Sequence, residues 1–216
     1  MKKILASLAL VGVFAAAPAR AEYAPDEELH PYIGIGFAID NLKYAQIAGA
    51  DYNAGMPRRF FAPQIELGFK APRYGFELFY RKSDRPVKDA MVAIPDVDPD
   101  AEWASQNSLT YTAMGANLSF LFPQRHGVSL EMLVGAGMYE GDVRARIFMP
   151  PAKYAELGTL TEHWNNTLGI TLGGGVVTSV IPEVDLRAGL RYTMFSGADF
   201  LMDNLREVYL GARVVF

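Results

Sequence analysis

The strongest constraint on the fold is an alternation of apolar residues at every second position. In segment 32–40, YIGIGFAID, isoleucine or phenylalanine occupies each odd position, and small or polar residues separate them. Side chains of a β-strand point to opposite faces in turn, whereas a helix repeats every 3.6 residues. Seven further segments share this period: 64–70, 74–81, 111–122, 128–139, 167–180, 184–194 and 206–216. The sequence therefore predicts eight β-strands, each with one apolar face.

The connections between these segments are of two kinds that alternate along the chain. Three are tight and contain proline, namely 71–73, 123–127 and 181–183. Four are long, at about 41–60, 82–108, 141–163 and 196–204. Alternating short and long loops are not expected of a soluble β-sandwich, whereas an outer-membrane barrel has short periplasmic turns and longer extracellular loops. We therefore expect both chain ends on the periplasmic side.

The first residues predict an export signal. A positive start, MKK, precedes the apolar run ILASLALVGVFAAA, and Ala19-Arg20-Ala21 forms the small-x-small pattern of a cleavage site. The apolar run is shorter than the roughly 20 residues that span a bilayer as a helix. We expect a signal peptide at 1–21, a short periplasmic segment at 22–30 and one barrel domain at 31–216.

Composition limits the classes of function. An exported chain without cysteine has no disulfide framework, so its stability must come from packing or from lipid. A net charge of −4 gives no reason to expect a nucleic acid partner. Asp96, Asp98 and Asp100 resemble the start of a calcium loop, but Asn107 stands where that loop needs a glutamate, so we expect a solvated acidic loop. We expect neither a metal nor a cofactor.

The chain resembles the small eight-stranded outer-membrane barrels, the group of the OmpA transmembrane domain and OmpX. The resemblance rests on the eight segments, the alternation of short and long connections, the export signal and the final Phe216. The resemblance implies an all-β, antiparallel, up-and-down transmembrane β-barrel in the outer membrane of a Gram-negative bacterium. Closure of such a sheet satisfies every backbone hydrogen bond inside lipid. In that family the barrel-assembly machinery reads the last strand, which implies an assembly signal at Val208, Leu210, Ala212, Val214 and Phe216.

The predicted inward faces carry four acids and four bases. The interior of an eight-stranded barrel is only wide enough for side chains to fill, so we expect ion pairs that cross the lumen and plug it. Acid/base catalysis or an ion path are the alternative interpretations of these carboxylates. The residues of this network are Glu66, Glu77, Arg81, Glu131, Arg187, Arg191, Glu207 and Arg213.

Two more groups lie near the predicted outer ends of the strands. Basic residues there fit either lipopolysaccharide phosphates or an ordinary solvated surface, since guanidinium groups match phosphate oxygens. They are Arg58, Arg59, Lys82, Arg85, Lys88, Arg144, Arg146 and Lys153. Aromatic residues there predict an interfacial girdle. They are Phe60, Phe61, Tyr80, Tyr139, Trp164 and Phe195.

The leading hypothesis is a non-enzymatic barrel that supports envelope integrity and presents four extracellular loops for adhesion or binding. A narrow channel, or a conduit for small or hydrophobic compounds of the OmpW kind, would need an open, apolar lumen, and the charged inward row argues against it. A lipid A-modifying enzyme would need a serine, a histidine and an acid together. His126 and Ser129 are close in sequence, but no third partner accompanies them.

Overall fold

The computed structural model describes residues 28–44, 46–47, 50–51, 55–94, 98–124, 127–148, 156–196 and 202–216, so the predicted signal peptide and most of segment 22–30 lie outside it. Eleven strands occupy this part of the chain. They are β1 (His30–Tyr44), β2 (Gln46–Ile47), β3 (Ala50–Asp51), β4 (Arg59–Lys70), β5 (Tyr74–Lys82), β6 (Val87–Ile94), β7 (Asp98–Pro123), β8 (Val128–Phe148), β9 (Glu156–Ile181), β10 (Val184–Ser196) and β11 (Met202–Val215).

Among the described residues, no helix is both long enough and apolar enough to cross a membrane.

Eight of the strands close into a barrel. Their order around the ring is β5, β4, β1, β11, β10, β9, β8, β7, and β7 pairs again with β5. Strands that follow one another in the ring pair antiparallel, and the last strand returns to the first, with Tyr32 opposite Val215 and Gly36 opposite Gly211. Each predicted segment lies on one of these eight strands, except that Phe216 follows the end of β11. The predicted eight-stranded, up-and-down barrel is confirmed.

The outer surface of the barrel is an apolar belt. On β1, Ile33, Ile35 and Ile39 are 53%, 66% and 54% exposed, whereas Ala38 and Asp40, on either side of Ile39, are buried. The same alternation exposes further apolar side chains on the other barrel strands: Phe69, Phe76, Leu78, Met114, Leu118, Leu130, Leu168, Leu186, Leu190, Val208, Leu210 and Val214. A continuous apolar exterior of this size is a surface for lipid rather than for water.

The prediction of long loops is wrong for two of the connections, because most of their residues form strands. In the second connection, β6 pairs with the outer part of β7, and in the third, β8 and β9 pair as far as Phe148 and Glu156. These parts of β6 to β9 project beyond the barrel and are called the outer sheet. In the outer sheet, apolar and polar residues do not alternate strictly along the sequence, as in 87–94 (VKDAMVAI), so the period-two signal fades there.

The two ends of the barrel differ as expected. Tight connections at 71–73, 124–127 and 182–183 lie at the end that carries His30 and Phe216. The amide of Phe216 donates to the carbonyl of Pro31 at 2.9 Å, so β1 and β11 are joined up to this edge. The outer sheet extends from the opposite end. From Thr110 to Asp98, β7 projects by roughly 40 Å at about 3.3 Å per residue.

Glycines on the lumen side of one strand make room for large side chains of the neighbouring strand. A Cβ atom on Gly189 would lie 2.7 Å from the ring of Tyr209, and one on Gly169 would lie 2.7 Å from the ring of Tyr139. Real Cβ contacts are not this short, so these tyrosine rings rest directly on the backbone of the wall. A narrow barrel can hold several tyrosines and arginines for this reason.

Replacing Leu118 with arginine should lower the free energy of unfolding by about 2–4 kcal/mol, because the middle of the belt lies near the bilayer midplane. Phe122 provides the matched control on the same face of β7, close to the tight turns, where arginine should cost about 0–1 kcal/mol. Urea unfolding in phospholipid vesicles measures both. Equal costs at the two positions would contradict the placement of the belt across the bilayer.

Candidate functional site

The structure places all eight predicted lumen residues inside the barrel, and none of their side chains is part of the belt. None of the eight is more than 5% exposed. Strands β4, β5, β8, β10 and β11 supply them, each from the face opposite the belt. The strand alternation that exposes the belt also turns these charged side chains toward one another.

Arg187 is the centre of the ionic network. Its Nη1 donates to Glu66 Oε2 and to Glu77 Oε2, both at 2.9 Å, and its Nη2 donates to Glu131 Oε1 at 2.6 Å. The second oxygen of Glu131 accepts a hydrogen bond from the hydroxyl of Tyr209 at 2.7 Å. One guanidinium group from β10 thus binds carboxylates from three other strands across the lumen.

Arg213 binds two of the same carboxylates from β11. Its Nε donates to Glu66 Oε2 at 3.2 Å, and its Nη2 donates to Glu77. Glu77 also accepts from the hydroxyl of Tyr32 at 3.2 Å and from the side-chain amide of Asn117 at 2.6 Å. Sequence reasoning missed Tyr32 and Asn117, although both lie in phase with the lumen row of their strands.

A second group lies closer to the outer sheet. Arg81 pairs with Glu207, and its Nη2 donates to the hydroxyl of Tyr139 at 2.8 Å. Thr193 Oγ1 donates to Glu207 Oε2 at 3.3 Å. The buried carboxylate of Asp40, which sequence reasoning did not assign to the network, accepts a hydrogen bond from Tyr111. These contacts join β5, β8, β10 and β11, and also β1 with β7, at a second level of the lumen.

Arg191 lies between the two levels. Its Nη1 donates to Gln64 Oε1 at 3.1 Å, and its Nη2 stands 3.9 Å from the Oε1 atoms of both Glu66 and Glu77. Its guanidinium carbon is 3.9 Å from the centroid of the Tyr209 ring, a cation–π arrangement. This arginine therefore joins the network through weaker contacts than Arg187 and Arg213 make.

The end of the lumen beside the tight turns contains one further ion pair, which was not predicted from the sequence. Lys70 Nζ lies 2.5 Å from Asp185 Oδ2, and the hydroxyl of Ser179 donates to Asp185 Oδ1 at 2.7 Å. Asp185 is fully buried. Side chains from β4, β9 and β10 meet here and narrow the lumen at the end with the tight turns.

Part of the predicted aromatic girdle is wrong, because Phe60 and Tyr139 are buried in the lumen and the ring of Phe195 lies 4.8 Å from that of Tyr139. The barrel interior is itself apolar near the outer sheet, and these rings lie on the lumen side of their strands. Phe61 and Tyr80 face outward as predicted. The side chain of Trp164 lies outside the described residues.

The buried rings of Phe60 and Tyr139 belong to a cluster of apolar side chains in the lumen near the outer sheet, here called the outer apolar cluster. It consists of Leu42, Tyr44, Met56, Phe60, Ala62, Phe79, Leu109, Tyr111, Ala113, Tyr139, Met202 and Leu205.

The predicted basic rim does not form one site. Arg58, Arg59, Lys82, Arg144 and Arg146 are exposed, but they are divided among the start of β4, the end of β5 and the outer part of β8. Arg85 and Lys88 are partly buried, and Arg85 Nη2 lies 3.9 Å from Asp142 Oδ2 on the outer sheet. Lys153 lies outside the described residues.

The structure describes only some of the residues considered for catalysis or metal binding. Ser129 lies at the inner end of β8, and His126 lies outside the described residues. Asp98 and Asp100 belong to β7, and Asp96 is not described. Within the part of the chain that the structure describes, no three His, Cys, Asp or Glu side chains are grouped so that they could hold a metal ion.

Replacing Arg187 with alanine should lower the free energy of unfolding by about 3–5 kcal/mol, because three buried carboxylates lose their shared partner. The control is Lys43→Ala, which removes a 2.9 Å pair with Asp203 whose side chains are 54% and 45% exposed. Exposed pairs contribute about 0–1 kcal/mol. Urea unfolding in vesicles compares the two variants, and similar losses would contradict a central role for Arg187.

Comparisons with known proteins identify the fold. No protein-family model matches the chain, and no curated protein matches its sequence. Neisserial surface protein A is similar in structure, with a TM-score of 0.56 and 18% identity, covering 88% of this chain and 100% of that one. Ail, the attachment invasion locus protein of Yersinia pestis, has a TM-score of 0.51 and 18% identity, covering 88% and 99%.

The outer membrane protein OprG from Pseudomonas aeruginosa is also similar, with a TM-score of 0.51 and 10% identity, covering 88% of this chain and 97% of that one. Identities this low establish the fold and do not single out the OmpA and OmpX group. Together with the apolar belt, that fold locates the chain in an outer membrane, as a barrel of the small outer-membrane type.

Proposed function

We propose that the chain is a non-enzymatic outer-membrane barrel with a closed lumen, which supports the envelope and presents its outer sheet and outer connections for adhesion or binding. The observation that carries the proposal is the ionic network across the lumen. Each of its four glutamates binds at least one arginine, so these carboxylates are engaged in structure and are not held ready for acid/base chemistry.

Two barriers in series support a closed lumen. The first is the charged level, where Arg187 and Arg213 reach across to Glu66 and Glu77. The second is the outer apolar cluster, in which Leu109 and Tyr111 are almost fully buried. Crossing charged side chains block the first barrier, and the outer apolar cluster forms a constriction that excludes water at the second barrier.

A binding role is supported by the outer sheet. It projects beyond the apolar belt, and it exposes Arg144 and Arg146 on one face of β8. Long outward segments on a rigid scaffold are common places for recognition. Ail, which has a similar fold, is named as an attachment invasion locus protein. By this proposal, an extracellular ligand contacts the outer sheet and its connections.

The proposed partners on the membrane side are outer-membrane lipid, including lipopolysaccharide, and the barrel-assembly machinery. The proposed assembly signal on β11 supports the latter, since Val208, Leu210, Val214 and Phe216 all face outward and are exposed. A partner that approaches from the lipid side would meet these side chains directly. Ala212, in the same row, is partly exposed.

A narrow channel is the second candidate, and one observation favours it. Among the described residues, Asp40 Oδ1, Asn117 Oδ1 and the Nε and Nη2 atoms of Arg191 are buried without a hydrogen-bond partner. Buried polar atoms are usually satisfied, often by ordered water. A chain of water between the two levels of the lumen would suit a narrow path.

Planar-bilayer recording separates the two candidates. The wild-type barrel should show no steady conductance, because both barriers are closed. Removing the charged level alone, as in Arg187→Ala with Arg213→Ala, should leave conductance low, since the apolar level still excludes water. Adding Leu109→Ala and Tyr111→Ala should raise it. A wild-type barrel that conducts steadily would overturn the closed lumen and favour the channel.

Surface protease treatment of intact cells tests the orientation. A cleavable tag between β6 and β7, or between β8 and β9, should be cut, because these connections lie at the end of the outer sheet. The matched control is the same tag between β7 and β8, which should be protected. Cleavage only at the control position would reverse the barrel and contradict an outward binding surface.

A further inference from the structure

The outer wall of the barrel carries a groove of about 550 Å³ where β1, β10 and β11 reach the outer edge of the belt. This volume falls within the roughly 300–1,000 Å³ of small-molecule sites. Its floor consists of apolar and aromatic side chains of the belt: Ile39, Leu172, Leu190, Tyr192 and Val208. The exposed polar side chains of its rim are those of Asn41, Arg59 and Arg206. Asp40, Arg191 and Glu207 also line the groove, but these residues are buried and belong to the lumen row. The groove therefore joins a lipid-like surface to a cationic edge.

The strand register explains this sharp change in polarity. Asn41 lies opposite Arg59 on one side and opposite Arg206 on the other, and Arg206 lies opposite Tyr192. These residues form one row across β4, β1, β11 and β10. The next outward-facing row toward the middle of the belt is wholly apolar, and it consists of Phe61, Ile39, Val208 and Leu190.

The two arginines of the rim are exposed and lack an acidic partner. Within the described part of the chain, neither Arg59 nor Arg206 forms an ion pair with a carboxylate. Asp203, which lies nearby on β11, is already held by Lys43 at 2.9 Å. As far as the described residues go, the rim therefore keeps a positive charge without an acidic partner at the level where the apolar belt ends.

We propose that this groove binds the lipid A part of lipopolysaccharide, with phosphates on Arg59 and Arg206 and acyl chains along the apolar floor. The inference rests on the proposed function, because it requires the barrel to stand in the outer leaflet. A guanidinium group binds a phosphate through two parallel hydrogen bonds. Lipid A combines this headgroup chemistry with several acyl chains.

The spacing of the arginines favours a ligand with two phosphates. Arg59 and Arg206 stand two strands apart with Asn41 between them, a separation of roughly 10 Å at strand spacings of about 4.8 Å. A disaccharide with a phosphate at each end places its charges on the two arginines and a sugar beside the amide of Asn41. A glycerophospholipid with one phosphate occupies only half of this rim.

A second external groove provides a contrast. It has a volume of about 320 Å³ and lies at the end with the tight turns, between Pro31, Leu67, Phe76 and Phe216. No basic residue lines it. Its surface suits acyl chains alone, whereas the groove below Arg59 and Arg206 adds the means to hold an anionic head. Arg144 and Arg146 lie on the outer sheet, away from both grooves.

The test uses the mature barrel in phosphatidylethanolamine nanodiscs that contain a small fraction of diphosphoryl lipid A, monophosphoryl lipid A or phosphatidylglycerol. Native mass spectrometry measures the lipid retained by the wild type and by Arg59→Gln with Arg206→Gln. Arg144→Gln with Arg146→Gln is the matched control, because it removes the same charge from the outer sheet. Arg59→Lys with Arg206→Lys keeps the charge and removes the guanidinium fork. Heat modifiability on gels confirms that each variant is folded.

Diphosphoryl lipid A should be retained by the wild type and the control variant, and about tenfold more weakly by the glutamine variant, a change of about 1.4 kcal/mol. The lysine variant and the monophosphoryl lipid should give intermediate values. Unchanged retention by the glutamine variant, or equal retention of phosphatidylglycerol by the wild type, would overturn the lipid A site. A wild-type barrel that does not insert would instead overturn the proposed function.

Discussion

Backbone hydrogen bonding inside lipid is the constraint on which the rest of the structure depends. A strand edge that faces hydrocarbon leaves N–H and C=O groups without partners, at a cost of several kcal/mol each. Pairing of β1 with β11 removes the last edge of the ring. Once the ring closes, each barrel strand must give one face to lipid and the other to a narrow lumen, and every side chain takes one of these two environments.

The narrow lumen contains buried charged side chains that need partners. Burying an isolated charge is very costly, and a buried ion pair repays that cost only when its geometry and additional hydrogen bonds are good. Arg187 meets this condition by binding three carboxylates, and Tyr209 satisfies a further oxygen of Glu131. Glycines such as Gly189 give Tyr209 the space to lie against the wall. Small residues on one strand and large side chains on its neighbour are parts of the same packing arrangement.

Strand register also determines which residues lie side by side on the outer surface of the barrel. A row of polar residues directly follows a row of apolar ones across β4, β1, β11 and β10, because antiparallel pairing aligns residues from distant parts of the chain. Arg59 and Arg206 are far apart in sequence and two strands apart in the barrel. This alignment turns separate surface arginines into a cationic rim above a lipid-facing groove, which is the basis of the lipid A proposal.

Much of the architecture was determined by the sequence alone. The period-two pattern identified eight barrel strands and assigned the eight charged residues to their inward faces, because the pleat of a strand is a local property of the backbone. Periodicity carries no information about cross-barrel partners, so only the tertiary structure decided that Arg187 binds Glu66, Glu77 and Glu131 and that Arg81 binds Glu207. It also decided that Phe60 and Tyr139 fill the lumen, and that 87–94 and 98–108 are strands. Those outcomes depend on pairing between distant segments, which sets register and depth and leaves no mark in the local alternation of residues.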